Sequence, residues 1–194
     1  MKTNIYTLYL LLLMTVFMVP QASFAQNERL PYTGTNRVLI AFEGPVTRYD
    51  FSSQQMLVRH NKATQRIECI IPITSLVPLH DTIPAAMAYH VLFGAKYPQL
   101  LISIHVPLQE NFSPNNLLNT TTDFTASVQL QGVNNETRIP VAFNTLDNTL
   151  YFSTSFDLML DNFQASIPAE YLPLLTGRIQ VMIDNAKWIN LQSR

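Results

Sequence analysis

Apolar and polar side chains alternate with a period of two along most of this chain, the mark of strands with one buried face and one wet face. From Asp123 to Gln131, Phe124, Ala126, Val128 and Leu130 fall on one side, with Thr125, Ser127, Gln129 and Gln131 on the other. Leu150, Phe152, Thr154, Phe156 and Leu158 repeat the pattern against Tyr151, Ser153, Ser155 and Asp157. Val38 to Phe42, Leu100 to Val106, Ile139 to Phe143 and Ile179 to Ile183 are further examples, and Arg66 to Ile73 is another. With the shorter runs Thr47 to Phe51 and Met56 to Arg59, the pattern predicts about nine strands.

Turn-forming residues separate these runs at Glu43-Gly44-Pro45, His60-Asn61-Lys62, Gln131 to Asn135 and Leu146-Asp147-Asn148, which predicts hairpin links and an antiparallel meander. So many one-face-apolar strands bury that face by pairing two sheets or by closing into a barrel, and closure removes exposed edges. One segment departs from the rhythm. Asp81 to Lys96 has Pro84 near its start, helix formers through Tyr89 and Gly94 near its end, which predicts a short helix with Met87, Ala88, Val91 and Leu92 on one apolar stripe. Gln164 to Thr176, with Pro168 and Pro173, reads as a loop with one helical turn.

The first line of sequence has a different pattern. Lys2 is the only charge before an unbroken apolar stretch from Leu8 to Val19, followed by Pro20. Spanning a bilayer takes about 20 apolar residues, so the shorter stretch fits the middle of a secretory signal, with Ser23 and Ala25 supplying small side chains before a cut. Residues 1–25 are therefore expected to be a removable export signal, with no transmembrane segment in the mature form, and 26–194 a single domain. A retained anchor is the alternative. Losing Lys2 from 12 basic residues, against 13 acidic ones, leaves a net charge of about −2. Arg48, Arg59, Arg66 and Arg138 are scattered singly, which excludes the clustered positive charge that nucleic acid requires.

Cys69 is the only cysteine, so an internal disulfide is impossible. Its place beside Ile67, Ile71 and Ile73 on the apolar side of a strand predicts a buried, inert thiol. Catalytic and metal chemistry leave no signature. Only five glycines are present and none makes a phosphate loop; no Gly-x-Ser-x-Gly occurs. His60, His80, His90 and His105 lack metal spacing, and His80-Asp81 alone falls short of the three or four donors that zinc needs. No enzyme activity, metal or cofactor is expected. Asn111, Asn119 and Asn135 begin glycosylation patterns that matter only in a eukaryotic secretory route. Phe42, Phe124, Phe143, Phe152 and Phe156 fall on inward faces, and periodicity leaves open whether they fill a core or line a ligand space.

Four stretches resemble the YceI-like domain family. Ile71-Pro72-Ile73-Thr74-Ser75-Leu76 is similar to its strand ending in a hydrophobic-polar-Ser signature, and Phe93-Gly94-Ala95-Lys96-Tyr97-Pro98 to its element leading into the strand at Leu100 to Ile104. Leu130-Gln131-Gly132-Val133-Asn134 with Ile139-Pro140-Val141 resembles its hairpin. Phe156 to Phe163, Ile167-Pro168 and Ile179 to Ile183 resemble the closing strands of members from Bacteroidetes-like bacteria. Gln131 replaces the hairpin histidine, and Ala85-Ala86 stand near the place of an Arg-Asp pair that many members carry. The resemblance implies an all-β, antiparallel lipocalin-like barrel of about eight to nine strands with one short capping helix. It also implies a non-catalytic periplasmic protein that sequesters or carries an isoprenoid or other apolar lipid.

The wall and lid of such a lumen would come from Phe42, Tyr49, Ile71, Ile73, Ile104, Phe124, Phe143, Phe152 and Phe156, with Met87, Leu92 and Phe93 on the helix. Arg48, Arg59 or Lys96 could meet an anionic head. The rival reading is a ligand-free structural or interaction barrel of the cell envelope, and an uncharacterised hydrolase is a weaker third. A homodimer is left open.

Overall fold

The computed structural model describes residues 35–61, 63–106, 120–146 and 149–190. The expected export signal, its cut after Ala25 and the glycosylation patterns at Asn111 and Asn119 lie outside the described residues. Among the described residues, nine strands form one antiparallel sheet: β1 (Thr35–Glu43), β2 (Arg48–Asn61), β3 (Arg66–Pro72), β4 (Val77–Pro78), β5 (Gln99–His105), β6 (Thr121–Leu130), β7 (Val133–Leu146), β8 (Thr149–Met159) and β9 (Arg178–Asn190). The order β1-β9-β8-β7-β6-β5-β3-β2 closes on itself because β1 also pairs with β2, with Glu43 opposite Arg48 and Phe42 opposite Tyr49. The result is an eight-stranded closed barrel with β4 as an additional strand on β2. Closure satisfies the backbone donors and acceptors that an open sheet would leave at its edges.

Inward positions follow the sequence pattern: Ile67, Cys69 and Ile71 on β3, Leu100, Ile102 and Ile104 on β5, and Ile139, Val141 and Phe143 on β7 are all 0–3% exposed. Two strands keep one face inward only by breaking the alternation. On β2, the register with β1 shifts between Asn36 opposite Met56 and Val38 opposite Ser53, so β2 holds one residue more than its partner. That bulge moves the inward phase from Phe51 and Ser53 to Met56 and Val58. The two short runs expected at Thr47 to Phe51 and Met56 to Arg59 are therefore one 14-residue strand. The ninth strand is the two-residue β4, which pairs Phe51 and Ser52 of β2 with Pro78 and Val77. A 3-10 turn at Ile73–Ser75 separates it from β3. The Ser75 hydroxyl fills this break, lying 2.6 Å from the Ser53 hydroxyl and donating to the Pro72 carbonyl at 2.5 Å.

On β9, the pairing shifts between Phe152 opposite Ala186 and Thr154 opposite Ile183. Asn185 takes a left-handed φ of 47° there. Side chains replace the interrupted ladder: Asn185 N–H donates to Ser153 Oγ at 2.9 Å, Ser153 Oγ donates to Asp184 at 3.2 Å, and Asn144 donates to the Asn185 side chain at 2.7 Å. The inward phase thus passes from Val181 and Ile183 to Ala186 and Trp188.

The helix α1 (Met87–Val91) is five residues long, shorter than the segment from Asp81 to Lys96 suggests. Three-residue turns close on either side, through Met87 N–H to the Pro84 carbonyl and Phe93 N–H to the His90 carbonyl. Its left-handed stop is Phe93, at φ 53°, and not Gly94. The expected apolar stripe is buried: Met87, Ala88, Val91 and Leu92 are 0–1% exposed. They close the end of the barrel bounded by the β6–β7 turn. Gln131 and Gly132 both have positive φ in that two-residue turn, and Gln131 Nε2 donates to the Val91 carbonyl at 3.0 Å. Gln131 therefore ties the turn to the helix. Residues 165–177 run beside it, with a turn closed by Leu175 N–H on the Tyr171 carbonyl.

Cys69 is 1% exposed and free. Burial, helped by the charge of Glu68, pushes its thiol up to about 12 from an ordinary 9.0. Alkylation by iodoacetamide at pH 8 is expected only after denaturation, and rapid labelling of the native chain would show that β3 is not packed as described. The raised value also has a sign for stability. The contribution of the neutral thiol is whole below pH 9 and declines as pH rises from there toward 12.

Candidate functional site: the barrel interior and its aromatic end

The enclosed volume is bounded almost wholly by hydrocarbon. Among the described residues, no fully buried side chain carries a carboxylate, amine, guanidinium or imidazole, and no group of three His, Cys, Asp or Glu side chains is placed to hold a metal. The buried hydroxyls of Ser53 and Thr154 are satisfied, the first by Ser75 and the second by donating to the Pro140 carbonyl at 2.7 Å. Charges lie on the outer faces. Arg59 bonds Glu68 through Nε at 2.7 Å and again through Nη2, and Asn61 also donates to Glu68. Arg48 bonds Asp50 at 2.6 Å and Gln180 at 2.8 Å, and Lys96 stands 5.0 Å from the centre of the Tyr97 ring. None of the three cations named from sequence for an anionic head faces the interior.

Of the side chains proposed from sequence for a wall or lid, Phe42, Ile71, Ile73, Met87, Leu92, Ile104, Phe143, Phe152 and Phe156 are buried in one continuous core, at most 8% exposed. Tyr49 and Phe124 are partly buried and pack against that core. Phe93 is placed elsewhere. Its left-handed backbone turns it out of the helical stripe, leaving it 46% exposed with its ring 5.9 Å from that of Tyr97. The interior side chains pack on one another: Phe42 meets Phe51 edge-on at 5.5 Å, and Phe124 meets Phe143 at 5.8 Å.

Several large interior residues were absent from the sequence-based set. Phe51, Met56 and Trp188 are 0–1% exposed and among the largest fully buried side chains. Trp188 is the chain's only tryptophan. It sits at the end of the barrel opposite α1, where β2 turns into β3 and β7 into β8. A second register shift leaves it with no counterpart on β8, between Lys187 opposite Tyr151 and Ile189 opposite Leu150. Lys187 N–H donates to Asn36 Oδ1 at 2.7 Å, fixing the irregular backbone just before it. The Trp188 ring lies 5.1 Å from Phe143 and 5.4 Å from His60, which it meets edge-on. Its Nε1–H is buried and has no acceptor among the described residues, an arrangement that costs about 1–3 kcal/mol. The signal available in sequence was the spacing Ala186-x-Trp188 after Asp184-Asn185, a pair of residues that favours an irregular turn of the backbone.

Outside the barrel, a groove of about 310 Å³ runs beside the β1–β2 hairpin. Its ionic groups are mutually paired, with Arg178 bonding Asp157 at 2.6 Å and Glu43 at 3.4 Å. No helix among the described residues is long and apolar enough to cross a membrane.

No protein-family model matches the chain, and no curated protein matches its sequence. Solved structures do match. A polyisoprenoid-binding domain from Saccharophagus degradans, implicated in plant cell wall breakdown, is 12% identical with a TM-score of 0.60, over 78% of this chain and 92% of that one. BcnA of Burkholderia cenocepacia is 12% identical with a TM-score of 0.57, over 76% of this chain and 92% of that one. The described residues have the fold of these two proteins, the all-β closed barrel that the resemblance to the YceI-like domain implies.

Proposed function

We propose that this chain is a divergent YceI-like protein that works outside the cytoplasm after residues 1–25 are removed, and that it is a non-catalytic carrier of an isoprenoid or other apolar lipid inside its barrel. The observation that carries this reading is the continuous hydrocarbon interior, free of buried charge, in a fold shared with a polyisoprenoid-binding domain. Apolar transfer into such a space contributes roughly 0.8 kcal/mol per methylene, so a long chain needs little polar recognition. The interior side chains fill the space as they stand, so a ligand enters by displacing them. The short helix α1 or the aromatic end would have to yield.

One observation favours a second reading. Interior side chains at 0–3% exposure along β3, β5 and β7 are what a self-sufficient, close-packed core requires, and a structural barrel of the envelope needs nothing more. Native mass spectrometry of the mature protein purified from its host, followed by organic extraction, separates the two. A bound lipid of defined mass is the expected result. Empty protein that also fails to take up added polyprenols would leave the structural barrel.

A further inference from the structure

We infer that the end of the barrel around Trp188 is a head-group subsite for a neutral oxygen acceptor, a carbonyl or hydroxyl on an otherwise apolar chain, and not for a phosphate. This inference rests on the carrier reading and narrows its ligand. Three observations on different links of the structure converge.

The backbone is built irregularly to bring this side chain inside. The register shift at Asn185 on β9, its left-handed backbone and side-chain bonds from Asn144, Ser153 and Asp184 carry Trp188 into the interior, and a second shift leaves it without a counterpart on β8. A pure hydrocarbon filler needs no indole. Phenylalanine would supply apolar bulk at this position without bringing in a polar group, yet Trp188 brings an N–H donor into a place where no group among the described residues accepts from it. The interior hydroxyls of Ser53 and Thr154, by contrast, are satisfied by protein partners.

The surroundings select the acceptor. Phe143 lies against the indole, with Phe124 behind it, and His60 meets its edge. A single N–H among aromatic rings suits one neutral oxygen. A diphosphate would have to shed its hydration against aromatic rings, with Arg59 held on the outer face by Glu68 and Lys187 alternating with the inward Ala186 and Trp188.

Because Trp188 is the only tryptophan, its fluorescence and its single indole N–H resonance report this site alone. Geranylgeraniol, geranylgeranylacetone, squalene and geranylgeranyl diphosphate would be titrated into the wild-type chain and Trp188→Phe, with native mass spectrometry giving affinities for both. The alcohol and ketone are expected to bind the wild type more tightly than squalene. Trp188→Phe should remove about five-fold of that preference, equivalent to about 1 kcal/mol, and leave squalene binding unchanged. If squalene binds as well as the ketone and the substitution changes nothing, the subsite is refuted while the carrier reading stands. Tighter binding of the diphosphate also refutes it. If no isoprenoid binds, the carrier reading falls and the subsite with it. Should Trp188→Phe fail to fold, the indole N–H resonance of the wild type decides. A shift with the ketone that squalene does not produce supports the subsite, and an equal response to both overturns it.

Discussion

Replacing Phe152 with alanine is expected to lower the free energy of unfolding by about 3–5 kcal/mol, the range for deleting a fully buried aromatic ring. Phe152 is 0% exposed and lies on β8 between Phe143 of β7 and Ala186 of β9, at the point where the β9 register begins to shift. Its neighbours are held by ladders on both sides, so they have little freedom to collapse into the space. Urea denaturation followed by circular dichroism measures the effect, and an unchanged midpoint would mean that the interior is not packed as described. The same variant bears on function. Apolar cavities stay dry and bind apolar molecules, so Phe152→Ala is expected to accept isoprenoid more readily than the wild type and to regain stability in its presence.

Gly44→Ala is expected to destabilise the barrel by roughly 1–3 kcal/mol, through overpacking at a site that has no flexible neighbour. A Cβ there would lie 2.6 Å from the Thr47 carbonyl oxygen and closer still to that of Leu174. Both obstacles are backbone. Thr47 closes the hairpin by accepting from Gly44 N–H at 2.9 Å, and Leu174 belongs to the turn whose continuation donates from Thr176 to the Glu43 carbonyl at 2.8 Å. The side chain therefore cannot be accommodated without parting the β1–β2 hairpin from residues 165–177. Thermal unfolding measures the loss, and a melting temperature equal to that of the wild type would refute this contact.

Both substitutions probe a closed, filled barrel, and this is where the two functional readings meet. A carrier and a structural barrel share the same hydrophobic pattern, because either must bury one face of eight strands. They part on whether the interior yields to a guest, and the aromatic end is where the chain departs furthest from what packing alone demands.

Much of the fold was legible in the period-two pattern. Alternation places Ile67, Cys69 and Ile71 inward whatever the neighbouring strand is, because successive side chains on a regular strand point to opposite faces. The burial of Cys69 and of the Met87, Ala88, Val91 and Leu92 stripe follows from such local periodicity. The bulges on β2 and β9 were not legible in this way. An inserted residue reverses the phase, so a local pattern read through it ends or splits the strand. That is why β2 looked like two runs, and why Trp188 stood outside the sequence-based set. Phe93 was misplaced for a related reason, since a left-handed helix stop turns the residue away from the stripe that precedes it.

By itself, then, the sequence determined the strand rhythm, the apolar character of the inner face and the impossibility of an internal disulfide, all of which depend on residue identity and short-range geometry. Closure of β1 onto β2, the irregular pairing that turns Trp188 inward, the outward placement of Arg48, Arg59 and Lys96, and the filling of the interior were decided by tertiary structure. These depend on register between strands far apart in the chain. Register is set by the sum of many side-chain contacts across the barrel, and no single segment contains that sum.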